Sequence, residues 1–301
     1  MPKLIVMIGL SGAGKTSTAA DEYKGYNIIS TDNIREEICG ERSDQSKNNK
    51  VFELFHKRIV DSLKAERSTV ADATNLTFKS RRSLLHLVEN IDCWKVAHIV
   101  VKPFYECLRS NDERNTPVPR YVIRKQMEKF QIPFYEEGFN EIIIDDKGHG
   151  QFKTRYVDYC LSQMSDFDQR NPHHVYTLDV HSKKVAAAFS KYDYSRAYQL
   201  GALLHDYGKI ATQFIDPFSE VAHYYSHENV GAYMLLCSYS SLKALALTDG
   251  EIIDMLFLVN YHMLPFAWKT QKAQRRWQKS FGGIKYNLLM DFHECDKGAS
   301  L

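Results

Sequence analysis

The sequence carries a phosphate-binding loop near its start. The segment Gly9-Leu10-Ser11-Gly12-Ala13-Gly14-Lys15-Thr16 has the spacing G-x-x-x-x-G-K-[ST], and glycines at these positions let backbone N–H groups point at phosphate oxygens. Lys15 is expected to reach the β- and γ-phosphates of a nucleotide, and the Thr16 hydroxyl to ligate Mg²⁺. We therefore predict a site for ATP, or another nucleoside triphosphate, with Mg²⁺. Its contacts are expected from Gly9, Ser11, Gly12, Ala13, Gly14, Lys15, Thr16 and Ser17.

Aspartates at the ends of two strand-like runs are candidates for phosphate-transfer chemistry. Asp72 closes the run 68–71, so it could face the metal ion or the phosphate acceptor. Asp32 is followed one helical turn later by Arg35. Such a carboxylate can receive a hydroxyl proton while the arginine holds a neighbouring phosphate. The structural alternative for either aspartate is a helix N-cap at a strand-to-helix turn.

A basic stretch, 109–115, precedes Pro117-Val118-Pro119. Arg109 or Arg114 on a mobile lid over the γ-phosphate would stabilise the negative charge that develops in the transition state. The alternative is a solvated helix end of mixed charge.

The second half of the chain contains an adjacent histidine and aspartate, His205-Asp206, followed by Lys209. The pair offers one nitrogen and one oxygen to a single metal ion, and Lys209 could neutralise a phosphate oxygen or simply end a helix. Because the pair supplies only two donors, further ligands must come from distant positions. The alternative for any single histidine in a helical domain is a packed or surface side chain. The candidates are His181, His227, His262 and Asp296, with His223 as a rival to His227 and Asp291 as a rival to Asp296.

Alternating strands and helices are predicted to position the phosphate-binding loop. Strand-like apolar runs separated by helical segments indicate a doubly wound parallel sheet. Ligands bind such sheets beyond the carboxyl ends of the strands, which is where Asp32 and Asp72 fall. The predicted strands are 3–8, 26–30, 68–72, 94–101 and 141–145.

In the segment 146–150 two glycines flank a histidine, which is typical of a linker or an exposed turn. Beyond it the alternation of strands and helices stops, and apolar residues follow helical spacing. We therefore predict two domains, an α/β domain over 1–148 and an all-α domain over 149–301. The predicted helices of the second domain are 152–164, 183–190, 196–204, 230–237, 249–259 and 285–292.

Composition is that of an ordinary globular protein, with 301 residues, 44% hydrophobic and 25% charged residues and a net charge of +2. Six scattered cysteines without a C-x-x-C pair predict reduced thiols in a cytoplasmic protein. No stretch has the length of a membrane span. The most basic stretch, 269–277, could track a phosphate backbone, although a solvated face is the more common explanation.

The N-terminal motifs together resemble the 5′-hydroxyl polynucleotide kinases of the phage end-repair type. The resemblance covers residues 1–145 and is carried by Gly9–Thr16, by Ser30-Thr31-Asp32-Asn33-Ile34-Arg35, by Asp72-Ala73-Thr74-Asn75 and by the arginines of the lid. It implies that Asp32 is the general base for the 5′-hydroxyl. It also implies that Arg35 holds the 3′-side phosphate of the acceptor, and that Arg114 or Arg109 is the lid arginine.

The C-terminal motifs resemble the HD phosphohydrolase superfamily over residues 152–301. The superfamily pattern H…HD…D maps onto His181, His205, Asp206 and Asp296, and its two-metal subset has further histidines where His227 and His262 stand. The resemblance implies a phosphoesterase with one or two divalent metals, such as Mn, Fe, Co, Ni or Zn. Two such cations can bridge a phosphate and activate water.

Joined on one chain, the two halves resemble the bifunctional enzymes that heal nucleic-acid ends. That resemblance implies ATP-dependent phosphorylation of 5′-OH ends and metal-dependent hydrolysis of 2′,3′-cyclic phosphate or 3′-phosphate ends. RNA is the favoured substrate, DNA is possible, and a separate ligase would join the healed ends. Two alternatives are a nucleoside or nucleotide kinase fused to a small-molecule nucleotidase, and a nucleotide-binding regulator whose HD domain senses a ligand.

Overall fold

The structure is a computed structural model that describes residues 1–148, 153–172 and 175–299. The described residues form two compact units. The first contains Met1–Met127 and 133–148, and the second contains Glu128–Ile132 and the described residues from 153 onwards. The predicted domain junction, 148–149, adjoins residues 149–152, which lie outside the described residues. The sequence-based division differs from the structure at Glu128–Ile132, which it assigned to the first domain.

A parallel sheet of five strands forms the centre of the first unit, in the spatial order β2-β3-β1-β4-β5. The first connection runs from β1 to β2 on one side, and later ones reach β4 and β5 on the other, so β1 lies where the strand order reverses. That position is where open α/β sheets bind ligands. The strands are β1 (Lys3–Ile8), β2 (Asn27–Ser30), β3 (Thr69–Asp72), β4 (Trp94–Val101) and β5 (Glu141–Asp146). They confirm the predicted parallel α/β architecture.

Helices connect these strands. They are α1 (Lys15–Glu22), α2 (Thr31–Cys39), α3 (Asn48–Lys64), α4 (Phe78–Leu87), α5 (Phe104–Asp112) and α6 (Arg120–Met127), with a 3₁₀ helix at Tyr135–Glu137. The guanidinium of Arg81 on α4 donates to both carboxylate oxygens of Glu137, at 2.8 and 2.6 Å. Both side chains are inaccessible to solvent. Burial raises the pKa of Glu137, although Arg81 opposes that effect.

The second unit is mainly helical. Its elements are α7 (Tyr156–Met164), α8 (Leu178–Phe189), α9 (Arg196–Leu204), α10 (Lys209–Thr212), β6 (Phe214–Ile215), β7 (Ala222–His223), α11 (His227–Leu236), α12 (Tyr239–Lys243), α13 (Asp249–Tyr261), a 3₁₀ helix at Leu264–Ala267, and α14 (Gln271–Ala299). The small antiparallel hairpin of β6 and β7 was not predicted. The predicted start of the first helix, Phe152, lies outside the described residues.

Helix α13 is the most buried element of the second unit. It begins at a capping box formed by Thr248 and Glu251, and its residues from Met255 to Tyr261 are all buried. It packs against α9 and α11, while α8 packs against α9 and α14. A Cβ at Gly201 on α9 would lie 2.8 Å from the carbonyl oxygen of Met255, so this glycine lets α9 and α13 approach closely.

Asn260 on α13 pairs with the short segment Glu128–Ile132. Its Oδ1 accepts from the Ile132 N–H at 2.6 Å, and its Nδ2 donates to the carbonyl of Phe130 at 3.1 Å. Asn229 donates to the carbonyl of Glu128 at 2.8 Å. These amides satisfy backbone groups of a segment that belongs to no sheet or helix.

None of the helices in the described ranges is long and apolar enough to cross a membrane.

Candidate phosphate and metal sites

The phosphate-binding loop leaves the carboxyl end of β1 and leads into α1. Gly12 and Gly14 have φ angles of +85° and +105°, which side-chain-bearing residues rarely adopt. A Cβ at Gly12 would lie 2.2 Å from the carbonyl oxygen of Cys107. Gly12 is therefore required by backbone conformation and by the close approach of α5.

Lys15 and Thr16 lie beside Asp72 at the end of β3. The Thr16 hydroxyl donates to Asp72 Oδ2 at 2.9 Å, and Lys15 Nζ donates to the carbonyl of Leu10 at 2.9 Å. Burial lowers the pKa of Lys15, while Asp72 and Asp32 oppose that effect. A buried ammonium close to a hydroxyl and a carboxylate fits the phosphates and Mg²⁺ of a bound nucleotide. Thr77 caps α4 instead of Asp72, so Asp72 is not an N-cap.

A cavity of about 720 Å³ opens over the loop, and both Lys15 and Asp32 line it. Asp32 lies in the first turn of α2 and is not its N-cap, which is Ser30. Arg35 Nη1 donates to Asp32 Oδ1 at 2.7 Å, and Arg35 also lines the cavity. The structure thus brings the predicted base and its arginine to the same cavity as the phosphate-binding lysine.

The two arginines predicted for the lid, Arg109 and Arg114, have different surroundings. Arg114 lines the cavity, together with the segment Asn115–Pro119 that follows it. Arg109 is exposed on α5 and does not line the cavity. Arg114 is therefore the better candidate for contact with a nucleotide.

Two polar residues of the first site have no role assigned in the sequence analysis. Gln126 Oε1 accepts from the Ser11 N–H at 2.8 Å, and Gln126 Nε2 donates to the Ser11 hydroxyl at 3.0 Å. Asn75 donates to the carbonyl of Met7 at 2.8 Å. Asn75 belongs to the quoted Asp72–Asn75 motif, whereas Gln126 has no sequence signal because its partner is 115 residues away.

The six proposed metal ligands of the second unit converge. Asp206 lies at the centre: its Oδ2 is 3.3 Å from His205 Nε2 and 3.6 Å from His181 Nε2. Its Oδ1 is 3.1 Å from His227 Nε2 and 3.7 Å from His262 Nε2. Asp296 closes the first of these groups, with Oδ1 3.1 Å from His181 Nε2. The two oxygens of Asp206 therefore face two different sets of imidazoles.

Backbone carbonyls orient three of the four imidazoles. The Nδ1 atoms of His205, His227 and His262 each lie 2.8 Å from a carbonyl oxygen three residues earlier in the chain. Each Nδ1 therefore carries the proton, which directs the Nε2 lone pair of the neutral ring into the cluster. His205 Nε2 is fully buried and lies 3.3 Å from Asp206 Oδ2, inside the group of proposed ligands. This donor set fits a divalent metal ion.

Electrostatics favour the metal-binding protonation states of the two carboxylates. Burial alone would raise the pKa of Asp206, but Lys209 and His205 hold it well below its usual range. Burial would also raise the pKa of Asp296, but His181 and His205 lower it to about 2. Burial and the neighbouring histidines lower the pKa of His262 to about 3. The pKa of His205 is shifted in the other direction from that of His262. Burial alone would lower it, but Asp206 and Asp296 raise it above the usual value.

The two rival ligands do not join the cluster. His223 lies on β7 and stacks on Tyr225. Asp291 accepts a hydrogen bond from the Tyr194 hydroxyl at 2.7 Å. Gln169, which was not predicted, lies close to the cluster because its Oε1 accepts from Lys209 Nζ at 2.9 Å.

Comparison with known proteins relates the N-terminal region to kinases. Residues 4–133 match a family profile described as an AAA domain. The L-seryl-tRNA(Sec) kinase of Methanococcus maripaludis is 27% identical over 137 residues, 43% of this chain and 53% of the relative. The bifunctional polynucleotide phosphatase/kinase of Schizosaccharomyces pombe is 22% identical over 148 residues, 46% of this chain and 32% of the relative.

Among solved structures, a gluconokinase from Sinorhizobium meliloti 1021 is 19% identical and covers 50% of this chain and 84% of its own, with a TM-score of 0.35. A score this low adds nothing to the description of the fold. The chain spans about half of the first curated relative and about a third of the second. These matches relate the N-terminal region to P-loop kinases, a class that uses a nucleoside triphosphate and Mg²⁺.

Proposed function

We propose that this chain heals nucleic-acid ends. The N-terminal unit would phosphorylate 5′-hydroxyl ends with ATP. The C-terminal unit, as an HD-type phosphoesterase, would hydrolyse 2′,3′-cyclic phosphate or 3′-phosphate ends. One observation carries the kinase half: Asp32 and Arg35 form an ion pair at the cavity that Lys15 also lines. An acceptor base next to the phosphate-binding lysine is what a kinase needs and a sensor does not.

In the proposed kinase reaction, Lys15 would hold the β- and γ-phosphates, and Thr16 and Asp72 would hold Mg²⁺. Bound Mg²⁺ would neutralise charge on the transferred phosphoryl group. Asp32 accepts the proton of the attacking 5′-hydroxyl, and Arg35 positions the adjacent phosphate of the acceptor strand. Arg114, which lines the same cavity, would add a positive charge near the phosphates.

In the proposed hydrolase reaction, Asp206 would be shared by two sets of metal ligands. One set would be His181, His205 and Asp296, and the other would be His227 and His262. A pair of bound divalent metals would lower the pKa of water and polarise the phosphate. Lys209 supplies a cation for a non-bridging phosphate oxygen. The two-sided placement of Asp206 supports two metals better than one.

An end-chemistry assay tests both halves at once. Oligonucleotides with a 5′-OH, and others with a 2′,3′-cyclic phosphate, are incubated with ATP, Mg²⁺ and a transition metal. We expect Lys15→Ala to abolish only the 5′ reaction and Asp206→Ala to abolish only the 3′ reaction. If free nucleosides were phosphorylated while oligonucleotides were not, the alternative of a small-molecule kinase and nucleotidase would replace this proposal.

The relative from Methanococcus maripaludis supports a second acceptor, because its name states that it acts on L-seryl-tRNA(Sec). The acceptor of this chain would then be a hydroxyl carried by an RNA rather than its 5′ end. The same assay, run with γ-labelled ATP and with seryl-tRNA beside the 5′-OH oligonucleotide, separates the two acceptors. Only the true acceptor would become labelled.

A further inference from the structure

Helix α14 begins with cations on one of its faces. Lys272, Arg275, Arg276 and Lys279 have the spacing i, i+3, i+4 and i+7, which places their side chains along one side of a helix. All four are exposed to solvent. We call these four residues the cationic stripe. It is about 10 Å long at the helical rise per residue.

The charge of the cationic stripe is not compensated. Between Asp254 and Asp291 the sequence contains no aspartate or glutamate. In the described ranges, none of the four side chains forms an ion pair. Exposed cations elsewhere do so, such as Arg58 with Glu37 at 2.7 Å and Lys243 with Asp249 at 2.9 Å.

Local stability does not explain the stripe. Like charges three or four residues apart destabilise a helix. Cations near a helix N-terminus also oppose the helix dipole, and α14 starts at Gln271. The arrangement therefore costs the folded chain some stability, and an anion from outside would offset that cost.

Two aromatic features indicate which anion fits. Trp277 lies among the four cations, with Arg276 over its ring at 5.9 Å. Phe266 is 43% exposed, and its ring packs edge-on at 4.3 Å against His293, which lies three residues before Asp296 and so marks the way from the stripe to the cluster. Cations spaced along a surface beside aromatic rings are typical of sites for single-stranded nucleic acid. An anionic membrane or an acidic protein would not need the rings.

The same helix continues to the proposed metal cluster. Asp296 lies on α14, 17 residues after Lys279, and α14 is kinked at Gly282. At the helical rise per residue, Lys279 and Asp296 are therefore about 25 Å apart along the helix, and the kink shortens the direct distance. A strand held by the stripe can therefore reach the cluster with its end.

We propose that the cationic stripe binds the phosphate backbone of a single nucleic-acid strand whose 3′ end enters the metal cluster. This inference rests on the proposed function for the nature of the strand's end. The affinity for the strand should then depend on strand length and on salt, and this dependence should come from Lys272, Arg275, Arg276 and Lys279.

The test compares two fourfold variants of the full chain. In the stripe variant, Lys272, Arg275, Arg276 and Lys279 are each changed to Gln. In the control variant, the exposed lysines Lys24, Lys57, Lys64 and Lys79 of the first unit are each changed to Gln, so both variants lose the same charge. Circular dichroism verifies that both are folded. Binding of a fluorescent single-stranded RNA is measured over a series of salt concentrations.

We expect the stripe variant to bind this RNA at least about 10-fold more weakly at low salt, with the magnitude of its log–log salt slope reduced by up to about 3. The control variant should keep the wild-type slope. For hydrolysis, KM should rise for an oligonucleotide with a 2′,3′-cyclic phosphate, while kcat and the kinetics on a cyclic mononucleotide stay unchanged.

Equal salt slopes of RNA binding in the stripe and control variants would overturn the inference. So would a wild-type protein that does not bind RNA but binds acidic peptide or anionic vesicles through these four residues. The cyclic mononucleotide separates this inference from the proposed function. If the wild type binds RNA through the stripe but hydrolyses neither substrate, the stripe's role in RNA binding is supported and the phosphoesterase fails.

Discussion

Lys209 Nζ lies 2.7 Å from Asp206 Oδ2, and both side chains are almost completely buried. The same ammonium donates to Gln169 Oε1 at 2.9 Å and lies over the ring of Tyr224 at 5.3 Å. A lysine at a helix end is usually solvated, and this one is instead buried against Asp206 of the proposed metal cluster.

Replacing Lys209 therefore tests its proposed contact with phosphate. We expect Lys209→Met to lower kcat for hydrolysis of a 2′,3′-cyclic phosphate by about 10²–10³, as the loss of one charge-stabilising group does in other enzymes. Lys297→Met, an exposed position on α14, is the matched control and should be unaffected. Metal content, measured by mass spectrometry, should remain that of the wild type. A loss of metal in Lys209→Met would instead assign this lysine to assembly of the cluster.

Metal binding should depend on pH. Asp206 and Asp296 raise the pKa of His205 in the metal-free cluster, so a metal must displace a proton from this imidazole. Affinity should then rise as the pH increases through the pKa of His205, and binding should release protons. Calorimetric titrations in buffers of different ionisation enthalpy measure that release.

A His205→Ala variant is the comparison for the pH experiment. It should retain much less metal after purification without added metal, and the proton release assigned to His205 should disappear. Equal metal content in the two proteins would remove His205 from the site.

Gly12 combines two constraints that a pair of variants can separate. Gly12 and Gly40 share a φ of +85°, but a Cβ meets Cys107 only at Gly12. Both alanine variants should lose about 1 kcal/mol or more of stability to backbone strain. Gly12→Ala should also weaken nucleotide binding, because the loop has to move. Equal nucleotide affinity in both variants, by fluorescence titration, would show that the approach of α5 does not matter.

Asp32 is proposed to act on the acceptor and not on the nucleotide. Asp32→Ala should abolish phosphate transfer to 5′-OH ends while leaving ATP affinity nearly intact. Lys15→Ala provides the opposite pattern, with weakened ATP binding. Single-turnover transfer and equilibrium ATP binding distinguish these outcomes, and normal transfer by Asp32→Ala would exclude it as the base.

Asn260 should contribute strongly to the stability of the second unit. Its amide makes hydrogen bonds to two buried backbone groups, the N–H of Ile132 and the carbonyl of Phe130. Loss of a hydrogen bond to a buried group costs about 1–3 kcal/mol, so Asn260→Ala should lower the free energy of unfolding by several kcal/mol. The exposed Asn287, changed to alanine, serves as the control in chemical denaturation.

The sequence predicted the parallel sheet well because each strand is an apolar run bounded by turn residues. Strands β1 and β4 begin and end where expected. Helix α14 was predicted only in part, since its N-terminal half carries charges in place of an apolar periodicity. The segment Glu128–Ile132 could not be placed in the second unit from the sequence, because its partners Asn229 and Asn260 are about a hundred residues or more away.

The site residues divide in the same manner. Motifs with fixed local spacing, such as 9–16 and His205-Asp206, identify their own chemistry. Gln126, Gln169 and the choice of Arg114 over Arg109 depend on tertiary placement, which spacing does not encode. The set of six metal ligands was accessible only through resemblance to a family, since no local pattern links positions as distant as His181 and Asp296.

Two of the cluster's imidazoles also terminate helices. His205 follows the last residue of α9 and His262 follows the last residue of α13, and each Nδ1 bonds a carbonyl of the final turn, Ala202 or Val259. Such carbonyls have no partner within their own helix. Replacing either histidine would therefore both remove a ligand and loosen the end of a helix. A ligand bound at Nε2 would in turn tighten those helix ends, so occupancy of the cluster should be detectable as slower amide hydrogen exchange in the last turns of α9 and α13.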